Sequence, residues 1–186
     1  HEVEQLRAQI VALGEQASVP EGYPSYAEIY VGAGKFAICD WIDWPAVKSF
    51  NWRLTTRNSS GCLYAQAWDS EDKEPRSRVA MHRLIMRPTD GLCVDHINGD
   101  GLDNRRANLR AVTHQQNAFN QKGHGGSSKF KGVSLDKESG LWRAYITIGG
   151  RRKYLGRHGS EVDAAKAYNM AAKELYGEHA RLNNDY

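Results

Sequence analysis

The sequence predicts an α+β protein built from two folding units, and three stretches carry that prediction. The segment "LCVDHINGDGLDNRRANLRAVTHQQNAFNQK", residues 92–122, reads as strand, loop, strand and helix. From residue 129, three runs of alternating apolar and polar side chains are divided by turns and followed by an alanine-rich helical pattern. Between them, "QKGHGGSSK" has the Gly/Ser composition of a flexible linker.

Composition sets limits on the rest. A chain of 186 residues with 40% hydrophobic and 25% charged side chains is globular and long enough to bury real cores. It contains no run of eighteen apolar residues and no basic-then-apolar leader pattern, so no membrane partner and an intracellular location are expected. Cys39, Cys62 and Cys93 include no C-x-x-C pair, which argues against a disulfide framework and a thiolate zinc site. A metal would therefore take oxygen or imidazole ligands. The net charge of +3 is mild, but from Lys129 to Arg157 eight basic residues face two acidic ones, Asp136 and Glu138. Such a cluster is the footprint of a polyanion-binding surface.

Taken in order, residues 1–20 form an N-terminal helix and linker, with Val3, Leu6, Ile10 and Leu13 at helical spacing and Gly14 as the stop. Residues 21–122 form the first large unit. Its early part holds strands in "KFAIC", "NWRLTT" and "CLYAQAW" around a small helix beginning at Asp43, then a buried helical turn, "MHRLIM". In the hairpin that follows, Thr113 caps the helix. Residues 123–128 are linker and 129–186 the second unit. There, Ser160 caps a helix whose apolar face is Ala165, Tyr168, Ala172 and Leu175, ending at Gly177.

The hairpin concentrates groups suited to phosphodiester hydrolysis. His96 is of the side-chain type that titrates near neutral pH and so suits the task of activating water. Asp95 and Asn117 offer hard oxygen donors for a divalent cation, and Asn108, at the mouth of the second strand, would orient the imidazole. Amides supply oxygen without adding negative charge that would repel DNA. Asn98 and Asn104 read as turn residues, and His82 as a hydrogen-bonded core histidine.

With Asp95-His96, Asn108 twelve residues after His96 and Asn117 nine further on, the segment resembles the HNH endonuclease motif of the phage and intron-encoded homing type. The resemblance implies a ββα-metal fold, His96 as general base, Asn108 in its support, and Asp95 and Asn117 as ligands of Mg2+ or Mn2+. Asn120 shares a helix face with Asn117, and spacing favours Asn117. Arg105, Arg106 and Arg110 would steady the DNA backbone.

In the second unit, "WRAYITI" alternates Trp142, Ala144, Ile146 and Ile148 towards the helix with Arg143, Tyr145 and Thr147 on the opposite face. Arg152 and Tyr154 join that outer face from the next strand. Lys131 and Ser134 have opposite parity, so both face outward only if the strand bulges at Gly132. "FKGVS", "WRAYI", "KYLG", "AAKAYNMAAKELYG" and "ARLN" resemble, in order, an APETALA2-type DNA-binding domain. That resemblance implies a sheet entering the major groove of double-stranded DNA through Lys131, Ser134, Arg143, Tyr145, Thr147, Arg152 and Tyr154.

The reading is a site-specific DNA endonuclease. One site per chain implies nicking by a monomer, while double-strand cutting would need a dimer or sequential nicks. Two rivals remain open: a non-catalytic DNA-binding protein with a degenerate nuclease hairpin, and an RNA-binding module.

Overall fold

The computed structural model describes residues 25–57, 61–68, 77–121 and 126–184. The helix expected over residues 1–16 lies outside them, as do residue 122 and residues 123–125 of the linker. Two compact units divide at Ala111/Val112.

In the first unit, β1 (Tyr26–Gly32) and β2 (Lys35–Asp40) form an antiparallel hairpin. Helix α1 (Trp44–Val47) follows, with Pro45 in its first turn, where a missing N–H costs nothing. Strands β3 (Arg53–Arg57), β4 (Cys62–Trp68) and β5 (Arg78–Ala80) make an antiparallel sheet in sequence order. Residue 80 leads directly into α2 (Met81–Met86), whose Met81, His82 and Ile85 are buried. Then β6 (Cys93–His96) and β7 (Leu109–Val112) form a two-stranded ribbon, and the last residue of β7 opens the second unit. The core joins Ala37, Cys39, Val47, Ala65 and Met81, all with 1% exposure or less, to Trp52, Ile85, Val94, Leu102 and Leu109. Cys39, Cys62 and Cys93 are all free thiols. Burial, with Asp43 and Asp40 nearby, pushes the Cys39 thiol up to about 12, so it behaves as a small core hydrophobe.

In the second unit, α3 (His114–Asn120) starts with a complete capping box. Thr113 Oγ1 accepts from Gln116 N at 3.2 Å, and Gln116 Oε1 accepts from Thr113 N at 2.9 Å. Strands β8 (Val133–Leu135), β9 (Trp142–Ile148) and β10 (Arg151–His158) form an antiparallel sheet with β9 in the middle. Helix α4 (Glu161–Tyr176) covers it, capped by Ser160, whose Oγ accepts from Asp163 N at 3.1 Å. The alternation of β9 holds at Ala144 and Ile146, which are buried against the helix side, but Ile148 is 37% exposed beyond the helix's reach. The helix buries Ala164, Ala165, Tyr168, Ala172 and Tyr176. Tyr176 thus takes the place expected for Leu175, which is 39% exposed.

Gly132 is a left-handed residue, at φ 75°, immediately before β8, in place of a bulge within the strand. A Cβ there would lie 2.6 Å from a Tyr168 ring carbon and closer still to the Tyr145 carbonyl oxygen. Gly132→Ala is therefore expected to cost about 3 kcal/mol, from left-handed strain plus overpacking, readable as a lower denaturant midpoint.

Candidate active site and candidate nucleic-acid interface

Asp95 and His96 end β6 with 7% and 5% exposure. The loop from Ile97 to Arg105 is held to the body by backbone bonds, from Ile38 N to Leu102 O at 2.9 Å and from Asn104 N to Ile38 O at 2.8 Å. The loop places Asn104, fully buried, with its Oδ1 3.4 Å from His96 Nε2. Because Asn104 Nδ2 donates to Leu102 O at 3.0 Å, Oδ1 is the atom turned to the ring. With Oδ1 as its partner, Nε2 is the ring nitrogen that donates in this contact. Burial holds the imidazole pKa below its ordinary value. Asn104 and the charges of Asp95, Asp100 and Asp103 oppose that shift. His96 is thus neutral at neutral pH, the form a general base needs.

Asn108 acts on His96 through the backbone. Its Oδ1 accepts from Asn98 N at 3.0 Å and its Nδ2 donates to Asp103 O at 2.8 Å, while its own carbonyl accepts from Ile97 N at 2.9 Å. These bonds fix the residues just after His96. The direct amide contact to the ring belongs to Asn104, which spacing alone assigned to a turn. Asn98 completes the loop, donating to Asp103 Oδ2 at 3.1 Å and accepting from Asp100 N at 2.8 Å.

The three arginines expected on the DNA backbone each pair with an acid of the same unit. Arg105 makes two bonds to Asp103, at 2.8 and 2.7 Å, and Arg106 two to Asp43, at 2.9 and 2.7 Å. Arg110 gives Nε and Nη2 to Asp95 Oδ2, at 2.9 and 2.8 Å. Their guanidinium groups therefore brace the loop and the carboxylate beside His96. Asn117 is half-buried on α3, which belongs to the unit beginning at residue 112, and Asn120 on the same helix is buried.

On the sheet, Tyr145 and Tyr154 lie 5.4 Å apart between ring centroids, and the Arg152 guanidinium sits 6.0 Å over Tyr145. Thr147, Arg152 and Tyr154 are exposed. Ser134 pairs in register with Arg143. Arg143 bonds Asp136, and that bond, with one to Ser139, holds the Asp136 carboxyl down to about 2, while Arg157 stands 3.8 Å from the same carboxylate. Lys131 has a different task from the one expected. Its Nζ donates to Phe119 O at 2.6 Å and Gln121 O at 2.7 Å, capping the C-terminal carbonyls of α3. Burial and Arg181 push its pKa down to about 8, which still leaves it protonated at neutral pH. Phe119 also stacks on Tyr176 at 3.8 Å, so α3 is docked on this unit's own core.

Comparison with known proteins gives this geometry a lineage. Residues 79–119 match the HNH endonuclease family model, a stretch that includes Asp95, His96, Asn104, Asn108 and Asn117 but stops short of Asn120. The chain is 33% identical over 159 residues to an uncharacterized HNH endonuclease of Acanthamoeba polyphaga mimivirus, covering 82% of this chain and 76% of that protein. The chain belongs to the HNH endonuclease family. A further relative of this HNH endonuclease-family chain is Protein 3.8 of Escherichia phage T7, 32% identical over 112 residues, 59% of this chain and 92% of that one. Residues 128–178 match the AP2 domain model. Here the likeness is to APETALA2-like protein 2 of Oryza sativa, 45% identical over 60 residues that make up 31% of this chain and 14% of the plant protein. The chain thus carries an HNH endonuclease-like domain and an AP2 DNA-binding domain.

The donor chemistry fits a hard divalent cation. Among the described residues no three His, Cys, Asp or Glu side chains gather as a metal cluster. Asp95 offers a carboxylate oxygen, the donor type such a cation takes. No helix among the described residues is long and apolar enough to cross a membrane.

Proposed function

We propose that this protein is a metal-dependent DNA endonuclease whose AP2 domain brings the HNH-like domain to duplex DNA. The observation that carries the reading is His96: buried, held as the Nε2–H tautomer by Asn104, and adjacent to Asp95 within the segment that matches the HNH endonuclease model. His96 Nδ1 takes the proton of the attacking water, with Asn104 at the far edge of the ring. Asp95 and Asn117 are the residues that would hold Mg2+ or Mn2+. Bound there, the ion supplies charge neutralisation for the phosphate and the leaving 3' oxygen. Asn108 keeps the loop fixed during the step.

The sheet supplies affinity. Arg152, Tyr145, Tyr154 and Thr147 present side chains to the major groove, and Arg143 reaches it from its pairing with Asp136. Lys131 contributes by fixing α3. Tethering the two domains raises the local concentration of the nuclease at the bound site. Arg152→Ala is expected to weaken duplex binding about tenfold while single-turnover cleavage at saturating protein is retained, measured by fluorescence anisotropy beside a cleavage assay.

Incubating supercoiled plasmid with the protein in magnesium, in manganese and in chelator tests the whole reading. Metal-dependent nicking with 5'-phosphate and 3'-hydroxyl ends is the expected result. Tight binding with intact plasmid under every metal condition would reduce the protein to a DNA-binding one.

A further inference from the structure

His96 is enclosed by two more rings that the hydrolytic scheme does not use. His82, 8% exposed on the first turn of α2, lies 5.0 Å from it between centroids at an interplanar angle of 77°. Tyr64, on β4, lies 5.8 Å from it at 61°, and 5.7 Å from His82. The three rings form a closed triangle drawn from β4, α2 and β6. We infer that His82 and Tyr64 are positioning residues that fix the plane of the His96 imidazole. The inference rests on His96 being the base.

The supports of the triangle are stiff. Tyr64 sits mid-strand, opposite Thr55 of β3. His82 follows β5, itself paired to β4 through Gln66 and Ala80, and its neighbour Met81 is fully buried. The loop beyond His96 closes on the same ring at Gly101, where a Cβ would lie 2.7 Å from Tyr64 ring carbons and closer still to the Leu63 carbonyl oxygen. Any side chain at 101 would displace the Tyr64 ring or the backbone at Leu63.

The ring contacts add a constraint of a different kind from the amide bond. At 3.4 Å the Asn104 contact is long for a hydrogen bond and acts on one edge of the imidazole. Edge-to-face ring contacts are directional, because the positive edge of one ring seeks the negative face of the next. Two of them at different angles restrain the plane of the imidazole. General-base catalysis is sensitive to this, since a displacement of about 1 Å can cost about a hundredfold in rate. An aliphatic neighbour of equal bulk fills the space without setting the plane.

The test compares His82→Leu and Tyr64→Leu with His82→Phe and Tyr64→Phe in the full chain. The leucine variants are expected to lower kcat on plasmid at least about tenfold with KM for DNA unchanged, and the phenylalanine variants to restore it to within about threefold. Ring 15N spectra of His96 provide a readout apart from cleavage: one Nε2–H tautomer in the wild type and phenylalanine variants, mixed tautomers in the leucine variants. Wild-type kcat in both leucine variants would overturn the inference. So would phenylalanine variants as slow as the leucine ones, or with mixed tautomers; where a leucine variant fails to fold, the methionine variant at that position is read in its place. His96→Ala serves as the reference: if it cuts like the wild type, the assignment of the base fails, and the spectra still report on the ring contacts.

Discussion

His96→Ala is expected to lower the rate of plasmid cleavage by about 10²–10⁴-fold while changing duplex affinity less than about twofold. The size follows from the role. Water is a poor nucleophile until its proton is taken, and in the described loop the side chains around His96 are committed elsewhere: Asn104 to the ring and Leu102 O, Asp103 to Arg105 and Asn98. Affinity should hold because the sheet side chains proposed to contact DNA belong to the other unit. The pH dependence gives an independent check. Burial holds the His96 pKa below its ordinary 6.5, so the neutral base persists below that pH and the acid limb of kcat/KM is expected there. Folding stability should follow the same group. With the folded pKa depressed, the unfolded chain binds the proton first, so stability declines as pH falls from about 6.5 through the folded value. A plain loss of activity centred at pH 6.5 or above would contradict the buried, neutral imidazole.

Local signals carried much of this architecture, and their reach explains what they missed. The helix of the hairpin is legible because Thr113 and Gln116 satisfy one another within a single turn. The outer face of β9 is legible because alternation has a period of two, and Ala144 and Ile146 could be buried only together. The Asp95-His96 pair could be found from spacing. What surrounds it could not, because the partners lie far along the chain. Asp43 is 63 residues from Arg106, and Asp95 is 15 from Arg110. Positive charge beside a nuclease-like motif reads naturally as DNA contact until the acids arrive in space. Lys131 misled in another way. Parity arguments apply within a strand, and Gly132 turns the chain before β8 begins, so Lys131 follows the loop to the end of α3. Asn104 and Asn108 are both buried amides of one loop, and only the fold shows that Asn104 meets the ring and Asn108 the backbone.

Asp95→Ala is expected to abolish cleavage and also to destabilise the first unit, and the two effects can be separated. The Asp95 side chain is 8% exposed, Arg110 16%, and two guanidinium nitrogens converge on Oδ2. Removing the carboxylate strands a largely buried positive charge, for which a cost of about 3 kcal/mol is expected. A loss of activity in this variant alone would therefore say little about chemistry. Arg110→Met supplies the counterpart: it keeps the apolar stem, removes the charge, and is expected to be destabilising by itself for the complementary reason. In the double variant Asp95→Ala/Arg110→Met neither charge is left alone, so most of the stability should return, and denaturant midpoints across the four proteins give the coupling. Cleavage should not return with it. If Asp95 serves only as the partner of Arg110, the double variant regains both stability and cutting. If it also supplies oxygen to a bound cation, the stable double variant stays inactive, and its folding stability no longer responds to added Mn2+ as the wild type's does.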